Sequence, residues 1–310
     1  MAGSPVTDEP NGGWERSDVG RKRRAATQSA DPRDRADVRR THAKRRAARG
    51  RLVAGVVLLA VAGGVAFAVK KARTPPPPPP PPPALIPVTF PEGFRYTQMA
   101  DTIAEKTKLS KDRYLELAGP SARGATLAGR SAPTSLEGFL FPATYQVGTD
   151  TTEQYLVDRQ IQAFNRTMAS INLKAAKKRN LTRYDVVIIA SMIEREVKVP
   201  AERPIVAGVI YNRLRNHMRL DIDATVQYAL GDWRQITGAD LQLDSPYNTR
   251  KFSGLPPGPI CNPGKASLQA AANPKASDYL YYVARADGSG RHYFAKTLDE
   301  FNRIQAQNTQ

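Results

Sequence analysis

Cysteine and histidine are scarce in this sequence of 310 residues, which contains one cysteine, Cys261, and three histidines, His42, His217 and His292. A single cysteine cannot form an internal disulfide or a cysteine-based zinc site. The sequence also lacks a His-Glu-x-x-His motif, a Gly-x-Ser-x-Gly motif and a glycine-rich phosphate loop. We therefore expect neither a zinc enzyme nor a serine or cysteine hydrolase, and we expect no metal and no cofactor. Acid and base chemistry on carboxylates is the route to catalysis that remains.

Acidic residues are few relative to basic ones, since 29 Asp and Glu stand against 46 Lys and Arg, for a formal net charge of +17. Much of the excess lies in residues 1–51, which have no apolar period, so we predict a disordered basic tail there. Such a tail could bind nucleic acid. The segment that follows it favours an anionic membrane surface instead, so nucleic acid is not expected as a partner.

Residues 52–69, LVAGVVLLAVAGGVAFAV, carry no charge and are flanked by Arg51 and Lys70. Because a helix rises about 1.5 Å per residue, this run nearly spans a hydrocarbon core of roughly 30 Å and predicts a transmembrane helix. Basic residues are far denser before the run than after it. This asymmetry predicts a single-pass membrane protein with a cytoplasmic N-terminus, in which the residues after Val69 are extracytoplasmic. The alternative is a signal peptide cleaved near Ala66–Ala68.

The rest of the chain is divided by a run of prolines, Pro75 to Pro83. Residues 70–83 are predicted to form a stiff polyproline II spacer, although a ligand for an SH3-type domain has the same composition. Beyond it we predict an α+β fold, with a small α/β subdomain at 84–118 and a mainly helical catalytic domain at 119–310. The alternating segments YLYYVAR and RHYFAK, joined by ADGSG, predict a C-terminal β-hairpin.

The segment 186–197, VVIIASMIEREV, places Glu194 and Glu196 at the end of an apolar run that we predict to be helical. At about 100° per residue the two side chains point to nearly opposite sides, so they do not form a cooperating pair. Glu194 shares its stripe with Val187, Ala190 and Ser191, and Glu196 shares its own with Ile189, Met192 and Ile193. The bulkier, drier neighbours predict that desolvation raises the pKa of Glu196 and makes it the better acid. The alternative is that one glutamate pairs with a buried arginine and the other is solvated.

Two later segments carry polar residues that suit a sugar polymer. Residues 221–230, DIDATVQYAL, place Asp221 and Asp223 before a short helix. The loop 243–264, LDSPYNTRKFSGLPPGPICNPG, combines Tyr, Asn, Thr and Arg with Pro and Gly turns. Pro and Gly fix an irregular backbone, while the polar side chains offer stacking and hydrogen bonds. We predict a polar groove, with a rigid surface turn as the alternative.

Several blocks, in this order, resemble the MltG or YceG-like family of endolytic murein transglycosylases. The resemblance covers about residues 87–303 and rests on VTFPEGF, LEGFLFPATY, IIASMIEREV, VIYNRLRNHMRLDIDATVQY, DSPYNTRKFSGLPPGPICNPG and YLYYVARADGSGRHYFAKTLDEFN. It implies a single N-terminal helix that anchors the protein in the inner membrane. Relatives often carry a LysM-like module where this chain has its proline run, so residues 84–118 are interpreted as a remnant of that region.

The resemblance also implies a catalytic residue and a reaction. The catalytic glutamate of the family is the second in its E-K-E signature, which falls on Glu196, and Val197 stands where the family usually has a hydroxylic residue. The implied reaction cleaves the β-1,4 bond between N-acetylmuramic acid and N-acetylglucosamine within glycan strands, without water, and leaves a 1,6-anhydro end that terminates strand elongation. Glu194 is expected to have a supporting role. Sugar contacts are further predicted for Asp223, Thr225, Tyr247, Asn248 and Thr249.

Two other functions stay open. A lysozyme-type hydrolase would need Asp221 or Asp223 near Glu196 with a water between them, and it would leave reducing ends. A non-enzymatic scaffold that binds the cell wall would leave glycan uncut. Besides glycan strands and the membrane, the resemblance implies peptidoglycan synthases and penicillin-binding proteins as partners.

Overall fold

The computed structural model describes residues 32–73, 84–120 and 135–308. The chain divides into two units, residues 1–80 and 81–310, and each is described by itself. The predictions made for residues 1–31 and for the proline spacer at 74–83 lie outside the described residues.

The described part of the first unit is one long helix, α1, Pro32–Arg73. It begins inside the segment for which disorder was predicted, where the abundant Ala and Arg are strong helix formers. Its portion Ala43–Lys71, 29 residues long, is the one stretch in the described ranges that is long and apolar enough to cross a membrane. The predicted candidate for a membrane-spanning helix is therefore present.

The second unit begins with a small antiparallel sheet and three helices. Strand β1, Ile86–Thr89, pairs with β2, Thr144–Val147, so that Ile86 lies opposite Val147 and Thr89 opposite Thr144. Helices α2, Tyr96–Lys106, α3, Lys111–Ala118, and α4, Glu153–Ala169, pack with this sheet. Their shared core contains Val88, Phe90, Met99, Ile103, Tyr114, Leu140, Val147 and Leu156. Residues before and after position 118, the predicted end of the small subdomain, therefore belong to one hydrophobic core.

The remainder is mainly helical. Its elements are α5, Lys174–Lys177, α6, Arg183–Glu196, a 3₁₀ turn at Pro200–Glu202, α7, Arg203–Arg215, α8, Asp223–Leu230, a 3₁₀ turn at Asp240–Gln242, α9, Lys265–Ala272, and α10, Leu298–Asn308. Strands β3, Tyr281–Ala284, and β4, His292–Ala295, form the predicted C-terminal hairpin, with Tyr281 opposite Ala295 and Ala284 opposite His292. Over the described ranges the fold is mostly helical with two small two-stranded sheets, which confirms the coarse class.

Helix α6 lies at the centre of the larger core and packs against α7, α8 and α9. It begins at Arg183, because the Thr182 side chain accepts the N–H of Asp185 while the Asp185 carboxylate accepts the N–H of Thr182 at 2.8 Å. Every residue from 184 to 193 is buried. A helix that is apolar all round and packed on several sides is expected to be a core helix. It ends at Glu196 because Val197 adopts an extended conformation.

Candidate active site

The C-terminal end of α6 opens into a cleft of about 190 Å³. Its walls come from α6, α7, the start of α8, the loop after residue 243 and the C-terminal hairpin. The lining residues are Glu196, Arg213, Leu220, Asp221, Asp223, Arg250, Tyr282, Ala284 and His292. Six of these residues carry ionisable groups other than the tyrosine hydroxyl, so the cleft is polar and suited to proton transfer.

Glu196 is the last residue of α6, and the first turn of α8 faces its carboxyl group, to which the backbone N–H of Ala224 donates. The hydroxyl of Tyr282 donates to Glu196 Oε2 at 3.2 Å. Burial raises the pKa of Glu196 and the negative charge of Asp223 raises it further, whereas the hydrogen bonds from Tyr282 and Ala224 and the electrostatic influence of His292 oppose this rise without reversing it. The predicted direction of the pKa shift is confirmed. A carboxyl group with a raised pKa can donate a proton near neutral pH.

Two aspartates face the same cleft. Asp223, the first residue of α8, forms an ion pair with Arg250. Asp221 adopts a left-handed backbone conformation with φ of 53° and pairs with Arg213 at 2.9 Å. Arg213 also donates to three backbone carbonyl groups, those of Arg219, Leu220 and Leu280. This arginine therefore holds the loop before α8 and the start of the hairpin against α7.

Three of the predicted sugar contacts point into the protein. Thr225, Asn248 and Thr249 are 0%, 0% and 1% exposed. The hydroxyl groups of Thr225 and Thr249 lie 2.9 Å apart, and that of Thr249 also accepts the N–H of Ile222 at 3.1 Å. The Asn248 amide donates to the carbonyl groups of Leu241 and Leu243, each at 2.9 Å. These side chains satisfy buried backbone groups around the cleft and, in this structure, offer no surface to a sugar.

The other two predicted sugar contacts are accessible in different places. Asp223 lines the cleft, as described above. Tyr247 is half-buried, packs against the larger core and stacks at a tilt on Tyr228, with ring centroids 4.9 Å apart. The structure therefore brings Asp223 beside Glu196, while Tyr247 is absent from the residues that line the cleft.

Glu194 has a different environment from Glu196. Its side chain is 7% exposed and pairs with Arg203, itself 13% exposed, at 3.4 Å. It also accepts the N–H of Gly264, which precedes α9, at 2.9 Å. One half of the alternative interpretation is thus correct, because one of the two glutamates does pair with a largely buried arginine. The other half is wrong, since Glu196 is not simply solvated but lies against Tyr282 and α8.

Sequence reasoning missed the contribution of the hairpin to the cleft. Tyr282 reaches Glu196, and His292 lines the cleft while its Nδ1 pairs with Glu202 Oε2 at 2.7 Å. The alternation of the two strands was a usable signal, because it puts Tyr282 and His292 on definite faces of the hairpin. The partner of that face could not be read from the sequence.

A second buried acid was also missed. Glu137 is 2% exposed, and its Oε1 accepts the N–H of Tyr96 at 3.1 Å and an N–H of the Asn262 amide at 2.8 Å. Burial raises the pKa of Glu137 to about 8, although the nearby Arg95 opposes the rise. Glu137 is absent from the lining of the cleft. Its bonds connect the first turn of α2 to the loop that precedes α9.

No group of three or more His, Cys, Asp and Glu residues that could hold a metal ion occurs within residues 32–73, 84–120 and 135–308. The side chains that line the cleft supply one carboxyl group with a raised pKa, two aspartates paired with arginines, a tyrosine hydroxyl and an imidazole. Such a set can protonate a leaving group and stabilise a developing positive charge.

Comparison with known proteins identifies the class of protein that has this fold and site. The model of the YceG-like family matches residues 34–307. The chain belongs to the YceG-like family, which confirms the resemblance seen in the sequence.

Relatives with assigned names match the same region. An endolytic murein transglycosylase of Bacillus subtilis is 36% identical over 230 residues, covering 70% of this chain and 63% of that protein. One from Streptococcus pneumoniae is 32% identical over 244 residues, covering 71% of this chain and 44% of that protein. The matches thus span less than two thirds of these relatives. A crystal structure of a YceG-like protein from Listeria monocytogenes aligns with a TM-score of 0.63 and 35% identity over 71% of this chain and 76% of that chain.

Proposed function

We propose that this chain is a membrane-anchored endolytic murein transglycosylase. The observation that carries the proposal is the position of Glu196, a single carboxyl group of raised pKa in a polar cleft. Its family and the names of its relatives give the substrate class. The helix within Ala43–Lys71 supplies the anchor. We further propose that the N-terminus is cytoplasmic and the cleft extracytoplasmic, because basic residues are dense before the apolar run.

In the proposed reaction Glu196 acts first as an acid and then as a base. Its proton passes to the glycosidic oxygen as the bond from that oxygen to C1 of N-acetylmuramic acid breaks. The 6-hydroxyl of the same sugar then bonds to C1 and gives its proton to the Glu196 carboxylate. The acid is regenerated, a 1,6-anhydro end forms and no water is consumed. Because the substrate supplies the nucleophile, one carboxyl group of the protein suffices.

Asp223 is the residue we propose to contact the sugar or to stabilise positive charge at C1, since it lies in the cleft and acts electrostatically on Glu196. Tyr247, with its exposed portion outside the cleft lining, is proposed to contact a more distant sugar. For Thr225, Asn248 and Thr249 we propose an indirect contribution, in which they hold the backbone of the groove. Glu194 is proposed to support α6 through Arg203 and α9.

A lysozyme-type hydrolase is the second candidate, and one observation favours it: Asp223 shares the cleft and its charge raises the pKa of Glu196. If Asp223 activated a water, the products would carry reducing ends. Mass spectrometry of the muropeptide products separates the two reactions, because an anhydro end is lighter than a reducing end by one water molecule.

The test of the proposed acid is the substitution Glu196→Gln, which removes the proton but keeps the shape of the side chain. Isolated peptidoglycan is incubated with the full chain in detergent, and the products are analysed by mass spectrometry. We expect anhydro products from the unaltered chain and from the control Glu105→Gln, an exposed glutamate of α2, and none from Glu196→Gln. Digestion by Glu196→Gln would refute the assignment, and intact glycan in every sample would favour a non-enzymatic wall-binding scaffold.

Two finer points are also proposals. Residues 84–118 are proposed to derive from a LysM-like region, which the proline run has largely replaced. Peptidoglycan synthases and penicillin-binding proteins are proposed as partners because glycan strands are made by such enzymes at the membrane. Crosslinking in membranes followed by identification of the captured proteins tests this point.

A further inference from the structure

Tyr282 makes the only hydrogen bond from a side chain to Glu196 within the described part of the chain. It is the second residue of β3, and its ring meets the ring of His292 edge to face, with centroids 5.3 Å apart and planes at 87°. The centroid of the Phe294 ring lies 6.4 Å from that of Tyr282. Packing of this kind fixes the direction in which the hydroxyl points.

The hairpin that carries Tyr282 is held by hydrogen bonds to residues beside the cleft. Glu202, shortly after Glu196 in the chain, accepts the backbone N–H of His292 at 3.1 Å with one oxygen and pairs with its Nδ1 at 2.7 Å with the other. Near the other end of β3, Arg213 donates to the carbonyl group of Leu280 at 2.6 Å. These hydrogen bonds connect the hairpin to the 3₁₀ turn after α6 and to α7, so the position of the tyrosine hydroxyl relative to Glu196 is well defined.

The contact has a chemical consequence for an acid. A protonated carboxyl group carries its proton on one oxygen, and its other oxygen, the carbonyl oxygen, is the better hydrogen-bond acceptor. A hydroxyl group that donates to one oxygen therefore favours the proton on the other. With Tyr282 donating to Oε2, the acidic proton of Glu196 belongs on Oε1. When that proton leaves, the same hydrogen bond becomes a charge-assisted one and strengthens.

We propose that Tyr282 is a positioning residue of the reaction, which keeps the transferable proton on Oε1 of Glu196 and stabilises the carboxylate left when that proton passes to the glycosidic oxygen. Tyr282 retains its own proton throughout, and Oε1 takes back the proton of the 6-hydroxyl. The inference rests on the proposed role of Glu196 as the acid.

The test must distinguish the effect of the Tyr282 hydroxyl on Glu196 from the effects of the charged groups nearby. Those that line the same cleft are Asp221 and Asp223 before and within α8, Arg250 in the following loop, Arg213 on α7 and His292 on β4. The substitution Tyr282→Phe removes a hydroxyl group and no charge, and it keeps the ring that packs against His292. The matched control is Tyr293→Phe, which removes the hydroxyl of a tyrosine on β4 that is 39% exposed.

The full chain in detergent is assayed on isolated peptidoglycan from acid to alkaline pH. Tyr282→Phe is expected to lower the maximal rate by about 10- to 100-fold, the loss typical of a hydrogen bond to a charged group. Because the hydrogen bond from Tyr282 lowers the pKa of Glu196, its removal is expected to raise that pKa. The alkaline limb of the pH–rate profile, where Glu196 loses its proton, should then move to higher pH. Tyr293→Phe is expected to match the unaltered chain in both respects.

A direct titration makes the outcome independent of turnover. The carboxyl signal of Glu196 is followed by NMR in chain labelled with ¹³C-glutamate and is assigned by its loss in Glu196→Gln. We expect its midpoint to rise in Tyr282→Phe and not in Tyr293→Phe. An unchanged midpoint, or an alkaline limb that stays in place while the rate falls, would overturn the proposal. A raised midpoint in a chain that cuts no glycan would uphold the contact and refute the proposed function instead.

Discussion

Replacing Thr249 by valine tests whether this residue supports the fold or contacts the substrate. The Thr249 hydroxyl accepts the buried N–H of Ile222 at 3.1 Å and lies 2.9 Å from the Thr225 hydroxyl. Valine has nearly the same shape but cannot accept a hydrogen bond, so the N–H of Ile222 loses its acceptor. A buried polar group without a partner costs about 1 to 3 kcal/mol. We therefore expect Thr249→Val to lower the free energy of unfolding by about 2 kcal/mol.

The chain contains a matched control for this substitution. Thr89 and Thr144 also join their hydroxyl groups, at 2.8 Å, but on the exposed face of the sheet β1–β2. Thr144→Val should change the free energy of unfolding by less than about 0.5 kcal/mol, because water replaces the lost partner. The assay is chemical denaturation of the full chain in detergent, with KM for glycan measured alongside. If Thr249→Val unfolds like the unaltered chain and raises KM, the residue contacts sugar and the structural role given to it here is refuted.

Two further predictions concern carboxyl groups. Asp223→Asn removes a negative charge that raises the pKa of Glu196, so we expect the alkaline limb of the pH–rate profile to move to lower pH; a shift to higher pH would contradict the electrostatic argument. Burial raises the pKa of Glu137 from 4.5 to about 8, so the folded protein binds the proton of this carboxyl group more tightly than the unfolded chain does, and protonation stabilises the fold. This contribution to stability is complete below about pH 4.5 and is lost as the pH rises to about 8. Denaturation at several pH values should show this loss in the unaltered chain and not in Glu137→Gln, and an equal slope in both would count against a buried neutral acid.

Local features of the fold followed the sequence closely. Thr182 and Asp185, three residues apart, cap α6 with a capping box, and the hairpin β3–β4 forms from its two alternating segments. Both depend on interactions between residues that are near one another in the chain. The rise in the pKa of Glu196 was predicted for the right cause, burial, but helical phase overstated the contrast between the two glutamates. Residues 184 to 193 of α6 are buried on every side of the helix, and the Glu194 side chain that follows them is only 7% exposed.

The composition of the cleft could not be predicted in the same way. Tyr282 and Glu196 are separated by 86 residues, and Asp223 and Arg250 by 27. Which side chains meet over such separations depends on how the helices and the hairpin pack. The type of residue at a position is therefore a weak guide to its partner.

By itself, the sequence determined the membrane-length apolar run, the core helix with its glutamates, the hairpin and the family to which the chain belongs. Only the tertiary structure decided which polar residues face the cleft. Thr225, Asn248 and Thr249 have the chemistry of sugar contacts, yet they turn inward because the irregular loop around them buries backbone groups that need hydrogen-bond partners. Tyr282 turns towards Glu196 because the hairpin is fastened to Glu202 and Arg213.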